Sequence, residues 1–395
     1  MILQFADCTL DSTRHEFSRS GAPVHVEPQV FDLLQLLAER AGELVSHDDL
    51  VASVWRGLNV SDATISSRIS AARAAVGDTG RAQAVIQTVP RRGIRMIVPV
   101  EVVEAPSPRP SAAMPAARQT VSFAESADGA RIAYAQSGSG PPVLRAGHWL
   151  SHLDMDWSSP IWRPMIDAIS ADHTLYRYDQ RGTGLSDRQA ALGDLSDFVA
   201  DFAAVADDAA LDRFSIYAPS QSVPVALRYA AENPERVKRI AILGGYAEGR
   251  AHRGPAPDDV DEETLLALIR SGWGRRGSTF VKAFSSLFMP DATPGQVDNF
   301  VDIQLNSASP EVAVQLRRAV DRFNVWDLLG QVKAPVLVMH AKGDVIHPLS
   351  QGRLLANAIP DARLFILDSD NHVPLPQHPS WEVFIHELLG FLQGG

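Results

Sequence analysis

Alternating polar and apolar positions open the chain, and helical spacing replaces them after Pro28. Between residues 1 and 26 the alternating runs are short and separated by polar and glycine-containing breaks, which predicts a small antiparallel sheet. After Pro28, apolar residues recur every three or four positions as far as Gly42, and the same spacing returns after Ser46. Ser46 with Asp49 three positions later resembles a capping box. This pattern predicts two consecutive helices.

The segment 60–76 has the pattern of a third helix with two different faces. Ser61 and Asp62 supply an N-cap signal. The apolar positions of the face that we expect to be buried are Ile65, Ile69, Ala72 and Val76. The other face carries short polar groups and two arginines, so it can approach phosphates and base edges closely. Taken alone, the segment fits an ordinary amphipathic helix with a solvated basic face better than a DNA-binding helix.

Two β-like runs follow this helix, at 85–89 and 94–98, and Pro90-Arg91-Arg92-Gly93 joins them. They predict a hairpin with arginines at its tip. The charge of the chain is uneven in the same region. Residues 1–60 have a net charge of -5 and residues 61–100 a net charge of +4, within a chain of net charge -11. The basic charge is therefore local.

The order and spacing of these elements over residues 3–99 resemble the winged-helix effector domain of OmpR-type response regulators, and especially their CadC-type relatives. The motifs that carry the resemblance are EPQVFDLLQLLAERAGELVSHDDLVASVW, VSDATISSRIS and IQTVPRRGIRM. It implies that the third helix enters the major groove of DNA and that the hairpin, the wing, reaches toward the minor groove or backbone. The DNA-facing candidates that it implies are Thr64, Ser67, Arg68 and Arg73 on the helix and Arg91, Arg92 and Arg95 at the wing.

Two features depart from this resemblance. No receiver domain precedes the module in this sequence, and no apolar run approaches the roughly 20 residues that span a bilayer. The first residues also lack a secretion-leader pattern, so we expect a cytoplasmic protein. The single cysteine, Cys8, excludes an intramolecular disulfide and a two-cysteine zinc site. Residues 101–119 are rich in Pro, Ala and Ser, which predicts a linker between domains 1–100 and 120–395.

Beyond the linker, β-like runs alternate with helical patterns. This alternation predicts a mostly parallel, doubly wound α/β sheet. The predicted strands are 131–134, 143–146, 174–178, 214–218, 239–243, 336–340 and 363–367. Three loops that follow these strands contain Ser220, Asp344 and His372, which are residue types of nucleophilic catalysis.

A serine, an acid and a histidine in this order, each after a strand, resemble the α/β-hydrolase fold over about residues 121–393. The stretches YDQRGTGLS and ENPERV also carry the resemblance. It implies that Ser220 is the nucleophile, that His372 is the general base and acid, and that Asp344 orients the imidazole. We expect the YDQRGTGLS loop to support the fold rather than catalysis.

The serine loop departs from the G-x-S-x-G pattern, because it reads APSQS. The glycines of that pattern let strand and helix backbones approach closely, and Ala218 and Ser222 are the next smallest choices. The resemblance implies an oxyanion hole made by the N–H of Gln221 and a second N–H near His148 or Trp149. Three alternatives are open for these residues. They form a triad that turns substrate over, they line a receptor pocket without turnover, or their side chains merely cap turns.

A segment with helical patterns, about 246–329, lies before the strand at 336–340. In this fold an insertion there forms a cap over the serine, and some of its apolar side chains face the pocket, which favours an apolar or aromatic ligand. The residues concerned are Leu265, Leu266, Ile269, Trp273, Phe280, Phe284, Phe288 and Phe300. Histidines such as His152 and His173 show no metal-ligand spacing, so we expect neither a metal nor a cofactor.

The sequence thus predicts an α+β winged helix-turn-helix domain followed by an α/β doubly wound hydrolase-fold domain with a helical cap. The first hypothesis is a cytoplasmic transcription regulator whose hydrolase-like domain senses a small molecule. The alternative is an active serine hydrolase acting on an ester, lactone or amide, and a third is a hydrolase-like domain that mainly dimerises. The expected partners are double-stranded promoter DNA, RNA polymerase, a small-molecule ligand and a second copy of the chain, with no membrane.

Overall fold

The computed structural model describes residues 2–11, 16–24, 26–55, 60–90, 92–103, 118–253, 261–275 and 277–394. The chain divides into two compact units, Met1–Met114 and Pro115–Gly395. Each unit has its own hydrophobic core. Within the described ranges, no helix is long and apolar enough to cross a membrane.

The first unit is a small sheet, three helices and a hairpin. Its elements are β1 (Ile2–Phe5), β2 (Cys8–Asp11), β3 (Glu16–Arg19), β4 (Ala22–Pro23), α1 (Pro28–Glu39), α2 (His47–Val54), α3 (Asp62–Ala75), β5 (Ile86–Val89), β6 (Gly93–Met96) and β7 (Val100–Val103). The predicted antiparallel sheet is confirmed, with strand order β4-β3-β2-β1-β7. β5 and β6 form the wing. β7 extends three residues into the predicted linker, because it pairs with β1 along its whole length.

Local signals set the beginnings of the helices, as the sequence predicts. Pro28 lies in the first turn of α1. At α2, the Ser46 hydroxyl accepts a hydrogen bond from the Asp49 N–H, and the Asp49 carboxylate accepts one from the Ser46 N–H, each at 3.1 Å. The Ser61 hydroxyl accepts from the Thr64 N–H at 3.3 Å and caps α3. Each cap contributes about 0.5–2 kcal/mol, because it satisfies a backbone donor that the helix cannot pair.

The second unit is built on an eight-stranded sheet of order β15-β14-β13-β12-β10-β11-β9-β8. Its strands are β8 (Thr120–Glu125), β9 (Arg131–Gly138), β10 (Pro142–Arg145), β11 (Thr174–Tyr178), β12 (Phe214–Pro219), β13 (Val237–Leu243), β14 (Val336–Ala341) and β15 (Ala362–Leu367). β10 to β15 pair in parallel, and β8 and β9 add an antiparallel edge. The predicted mostly parallel sheet is confirmed.

Helices connect these strands and cover the sheet. They are α4 (Leu153–Ser158), α5 (Arg163–Ser170), α6 (Leu195–Asp208), α7 (Val223–Glu232), α8 (Glu262–Gly272), α9 (Thr279–Phe288), α10 (Pro294–Ser307), α11 (Pro310–Asp321), α12 (Leu349–Ala358) and α13 (Trp381–Gln393). Helices α8 to α11 lie in the insertion between β13 and β14, where the sequence predicts a helical cap. All residues of β12 and β14 are buried, as expected of parallel strands that are covered on both faces.

The loop after β11 is held by a buried ion pair. The Arg181 guanidinium donates to both Asp201 oxygens, at 2.7 and 2.6 Å, and also to Asp128 at 2.9 Å. Arg181 and Asp201 are almost fully inaccessible to solvent, so neither charge can be hydrated if the other is removed. The pair therefore fixes this loop against α6 and the turn between β8 and β9.

Replacing Asp201 tests how much this ion pair contributes to the stability of the second unit. Asp201→Ala should lower the free energy of unfolding of the second unit by about 3–5 kcal/mol, because it leaves the Arg181 charge buried without its main partner. Asp207→Ala, which removes an exposed ion pair from the same helix, should cost about 0–1 kcal/mol. Urea unfolding followed by tryptophan fluorescence measures both, since six of the seven tryptophans lie in this unit. Equal losses would contradict the assignment.

Candidate functional site

Ser220 lies in a sharp turn between β12 and α7. Its φ of +57° is in the left-handed region, which costs a non-glycine residue about 1–2 kcal/mol. Residues Ser220–Ser222 form a single 3-10 turn before the helix begins at Val223. The Ser222 hydroxyl donates to the Pro219 carbonyl at 2.7 Å and closes this turn. The strained elbow thus forms without the two glycines of the usual pattern, because Ala218 and Ser222 both fit in buried positions.

The structure brings Ser220, His372 and Asp344 together from the ends of β12, β15 and β14. His372 Nε2 lies 2.8 Å from Ser220 Oγ, and His372 Nδ1 lies 2.7 Å from Asp344 Oδ2. Asp344 Oδ1 accepts from the N–H groups of Ile346 and His347 at 2.8 and 3.0 Å. Burial opposes the Asp344 charge, but His372 and the His347 N–H outweigh it and lower the pKa of the carboxyl. An ionised Asp344 holds the Nδ1 proton, so Nε2 can accept the serine proton.

Two residues that support this triad, His340 and Gly244, were missed by sequence reasoning. His340 is fully buried behind Asp344, and its Nε2 donates to the His347 carbonyl at 2.8 Å. Gly244 has a φ of +56°, and a Cβ there would lie 3.0 Å from the His372 ring, so only glycine fits. These contacts join residues far apart in the chain, and the Gly244-Gly245 pair after β13 was the only local signal.

The two loops proposed for an oxyanion hole are joined through Gln180. The Gln221 side-chain amide donates to Gln180 Oε1 at 3.3 Å, and the Gln180 amide donates to the His148 carbonyl at 3.2 Å. Trp149 is anchored to the cap instead, because its indole N–H donates to Gln304 Oε1 at 3.0 Å. Gln221, His148 and Trp149 are all buried beside Ser220. Gln180 therefore fixes the distance between both loops, a role that sequence reasoning did not find.

A cavity with apolar walls adjoins Ser220 and His372. Its apolar lining residues are Trp149, Ile161, Trp162, Met165, Tyr217, Leu243, Phe288, Phe300, Val373, Trp381 and Phe384. Of the cap residues that the sequence singled out, Phe288 and Phe300 reach this cavity, whereas Trp273 and Phe284 pack around Trp149. The cavity volume is about 30 Å³. Because one water needs roughly 10–15 Å³ by this measure, a larger ligand requires the cap or the side chains to move.

Charged residues are buried behind one wall of this cavity. Arg145 and Arg177 are direct neighbours on β10 and β11, and Asp156 on α4 is 1% exposed near them. Burial raises the pKa of Asp156 to about 7, although both arginines oppose this shift. The centroid of the His148 ring lies 4.5 Å from that of Trp162 with the rings tilted by 54°, and burial lowers the pKa of His148 well below the usual value. His148 is therefore a neutral group at the cavity wall at neutral pH.

The shifted pKa of Asp156 predicts a pH dependence of stability. The folded state binds more protons than the unfolded state between about pH 4 and pH 7, so this group makes folding less favourable as pH rises through that window. Asp156→Asn removes the titration. Urea unfolding at several pH values measures the free energy of unfolding of the native protein minus that of Asp156→Asn. This difference should fall over the window and level off above it. Asp154→Asn, an exposed change on the same helix, should give no such trend. A flat difference for Asp156→Asn would contradict the assignment.

In the first unit, the exposed face of α3 is displaced from the predicted one. The exposed positions are Ala63, Ser66, Ser67, Ser70 and Ala74. Of the predicted positions, Ser67 is exposed and Thr64 is half-buried. Arg68 is half-buried, and it pairs with Glu27 at 2.8 Å and donates to Gln29 at 3.1 Å. The helix therefore presents mainly serine hydroxyls and small side chains to solvent.

The expected DNA contact by Arg73 needs correction. This side chain is only 9% exposed, and its guanidinium donates to the Ile86 carbonyl and the Thr88 hydroxyl of β5. It binds α3 to the wing because it lies at the edge of the buried face. At the wing, Arg92 is exposed and Arg95 is half-buried, with its Nε donating to Gln87 at 2.8 Å. Arg91 lies outside the described residues.

A groove separates α3 from the wing and the start of α2. Its polar lining residues include Ser66, Ser70, Arg73, Thr88 and Arg92, and its volume is about 730 Å³. The turn that leads from α3 to the wing is held by buried Asp78, which accepts hydrogen bonds from four backbone N–H groups. The position of the wing relative to α3 is therefore built into the unit.

Both units match known families. Residues 21–96 match the family described as transcriptional regulatory protein, C terminal, and residues 152–379 match the alpha/beta hydrolase fold family. The transcriptional activator CadC of Escherichia coli is 36% identical over 87 residues, which cover 22% of this chain and 17% of CadC.

The relatives of the second unit are matched over most of their length. The RutD protein of Azorhizobium caulinodans is 28% identical over 267 residues, covering 66% of this chain and 95% of RutD. The pimeloyl acyl-carrier-protein methyl ester esterase of Nitrosomonas europaea is 25% identical over 257 residues, covering 64% and 97%. An esterase from Exiguobacterium antarcticum, a solved structure, has a TM-score of 0.59 at 21% identity, covering 70% and 100%. The chain belongs to the α/β hydrolase family and carries an OmpR/CadC-type regulatory domain in its first unit.

Proposed function

We propose that this chain is a cytoplasmic transcription regulator that binds promoter DNA through its winged helix and senses a small molecule through its α/β-hydrolase domain. The observation that carries the proposal is the presence, in one chain, of an OmpR/CadC-type domain and a hydrolase-fold domain whose serine adjoins an apolar cavity. A regulator needs both a DNA-binding domain and a ligand site.

The proposed ligand has an apolar or aromatic group and a carbonyl. Aromatic and aliphatic side chains make up most of the cavity walls, which favours burial of an apolar group. We place the carbonyl of the ligand beside Ser220 and His372, where backbone N–H groups of the Gln221 and His148 loops would bind its oxygen. Since the cavity holds only about 30 Å³, binding of a larger ligand requires a second arrangement of the cap or of the lining side chains.

Ligand binding is coupled to DNA binding through a difference in ligand affinity between two arrangements of the protein. A ligand shifts DNA binding only if it prefers one of two arrangements that differ in their affinity for DNA. We propose that two copies of the chain place two winged helices on adjacent half-sites, where they meet RNA polymerase, and that ligand binding changes their spacing. A coupling of about 1–3 kcal/mol would alter DNA affinity roughly 5-fold to 150-fold.

Hydrolysis by the same site is a second candidate function, and the unbroken hydrogen-bond chain from Ser220 to His372 to Asp344 favours it. Ser220 Oγ would attack the carbonyl carbon of an ester, lactone or amide while its proton passes to His372 Nε2. The oxyanion would accept from backbone N–H groups, the leaving group would take the proton from His372, and water would release the acyl group. The named activity of the Nitrosomonas esterase is of this class.

Replacing Arg92 tests the DNA surface. Arg92→Ala in the full chain should weaken binding to all duplexes and reduce the slope of log affinity against log salt by about 1, because one phosphate contact is lost. Arg40→Ala, an exposed change at the end of α1, should leave that slope unchanged. Duplex titrations at several salt concentrations measure both. An unchanged slope for Arg92→Ala would remove the wing from the proposed interface.

A fluorophosphonate carrying an aryl group tests the site and its coupling together. It should label Ser220, and Ser220→Ala or His372→Ala should abolish labelling, whereas Ser215→Ala, a buried serine within β12, should not. The adduct fills the apolar cavity, so the affinity of the labelled full chain for a duplex obtained by in vitro selection should change roughly 5-fold to 150-fold. The Ser220→Ala variant treated with the reagent is the control. Complete labelling without any change in DNA affinity would refute sensing through this site.

A further inference from the structure

A second cavity adjoins Ser220, and its lining includes several charged and polar side chains. It contains Arg253, Arg317, Asp321 and His347, together with Tyr246. Its volume is about 10 Å³, which is room for one water molecule in this conformation. Ser220 borders both cavities. The site is therefore two-sided, with apolar walls on one side of the serine and charged groups on the other.

Two aromatic side chains separate these cavities. Trp149 and Phe288 line both of them. Gln221, one of the residues proposed for the oxyanion hole, borders only the polar cavity, and His372 borders only the apolar cavity. A ligand whose carbonyl lies at Ser220 could thus extend in two directions, and only one of them leads to charged side chains.

The charged groups of the polar cavity come from the cap side. Arg317 and Asp321 are one turn apart on α11, where Arg317 Nε donates to Asp321 Oδ2 at 2.8 Å and Nη2 donates to Oδ1. Both side chains are largely buried. Within the described part of the chain, Arg317 Nη1 takes no part in this pair. Arg253, which follows β13, adds a second guanidinium and lies over the Tyr246 ring at 5.6 Å.

His347 adds a buried polar atom on the sheet side of the same cavity. It is 5% exposed, and its Nδ1 has no hydrogen-bond partner among the described residues. Burial, with the charges of His372 and both arginines, lowers its pKa well below the usual value, so the imidazole is neutral. A buried polar atom without a partner is costly, and a ligand atom that pairs with it removes that cost. The described lining thus contains the guanidiniums of Arg253 and Arg317, the Asp321 carboxylate that pairs with Arg317, and one neutral imidazole.

We propose that this polar cavity, which we call the cationic subsite, binds a carboxylate or phosphate group of the ligand whose apolar part occupies the apolar cavity. The inference rests on the proposed function of the site and specifies its ligand as an apolar acyl or aryl compound that carries an acidic group beyond the carbonyl. Guanidinium groups bind carboxylate and phosphate through directed, charge-assisted hydrogen bonds.

The cationic subsite supplies the selectivity that the apolar cavity lacks. An apolar cavity discriminates weakly between ligands of similar size, whereas buried donors reject a ligand that leaves them unpaired. Arg253 and Arg317 belong to the cap segment, and Ser220, Gln221 and His347 belong to the sheet side. An acidic group between them therefore joins the cap to the sheet. Only ligands with this group would stabilise the closed arrangement.

A matched pair of compounds tests the inference. N-phenylacetylglycine carries a carboxylate, and N-phenylacetylglycinamide has nearly the same shape without the charge. Each is used to protect Ser220 of the full chain against the fluorophosphonate. The acid should protect at a concentration about tenfold lower than the amide, the size expected of one charge-assisted hydrogen bond. The phosphonic acid analogue, N-phenylacetylaminomethylphosphonate, shows whether carboxylate or phosphate is the better fit.

Variants locate the source of this preference. The tenfold preference for the acid over the amide should fall to about twofold or less in Arg253→Gln. It should fall equally in the double variant Arg317→Gln with Asp321→Asn, which leaves no unpaired carboxylate. Arg317→Lys should retain part of it. Arg318→Gln is the matched control for Arg253→Gln, because Arg318 on α11 pairs with Glu263 at the surface and its replacement changes the net charge by the same amount. Its preference should equal that of the native chain.

Each outcome separates this inference from the proposed function. If Ser220 is labelled but acid and amide protect equally, or neither protects, the cationic subsite is refuted while the reactive serine stands. The cationic subsite is also refuted if Arg253→Gln and the Arg317→Gln, Asp321→Asn double variant both keep the preference for the acid, since the anion then binds elsewhere. If Ser220 is not labelled at all, the reactive serine fails. Calorimetric titration of the same compounds then tests the subsite, because the acid should still bind about tenfold more tightly than the amide.

Discussion

The backbone of Ser220 is the constraint on which the rest of the second unit depends. Its left-handed conformation is unfavourable for a serine, and such strain persists only where the surroundings over-determine it. The parallel strand β12 and helix α7 fix both ends of the turn, and the Ser222 hydroxyl closes it. Gly244 then leaves room for the His372 ring beside the serine. The sheet, the cap and both cavities are arranged around an oxygen atom held in this way.

Burial separates the roles of the ionisable groups around that oxygen. Burial lowers the pKa values of His340 and His347, so they remain neutral next to Asp344 and do not compete with His372 for its charge. Asp344 stays ionised because backbone N–H groups and His372 outweigh the cost of burial. The triad can therefore hold one mobile proton between Ser220 and His372, which is what attack on a carbonyl requires and what a covalent adduct reports.

The strands, the helical insertion and the proximity of Ser220, Asp344 and His372 could be predicted, because each has a local signal in the chain: a β-like run, a helical period, or a polar residue directly after a strand. The orientation of α3 could not. One position turns a helix by about 100°, so the period alone did not show that Arg73 folds back onto β5 while Ser66 and Ser70 face solvent. Gln180 and the cationic subsite depend on contacts between distant segments, which no spacing along the sequence reveals.

A cavity that must enlarge to take its ligand suits a sensor better than one that is already large enough. A site that is equally formed in both arrangements of a protein binds its ligand without shifting the equilibrium between them. In this chain the apolar cavity holds little more than water until the cap or its side chains move, so occupancy and cap arrangement are linked. If the triad also turns its ligand over, the lifetime of the signal is set by the rate of deacylation, because loss of the acyl group empties the cavity. Sensing and hydrolysis then differ only in that rate: a slow step keeps the occupied state long enough to act on DNA, and a fast step ends it.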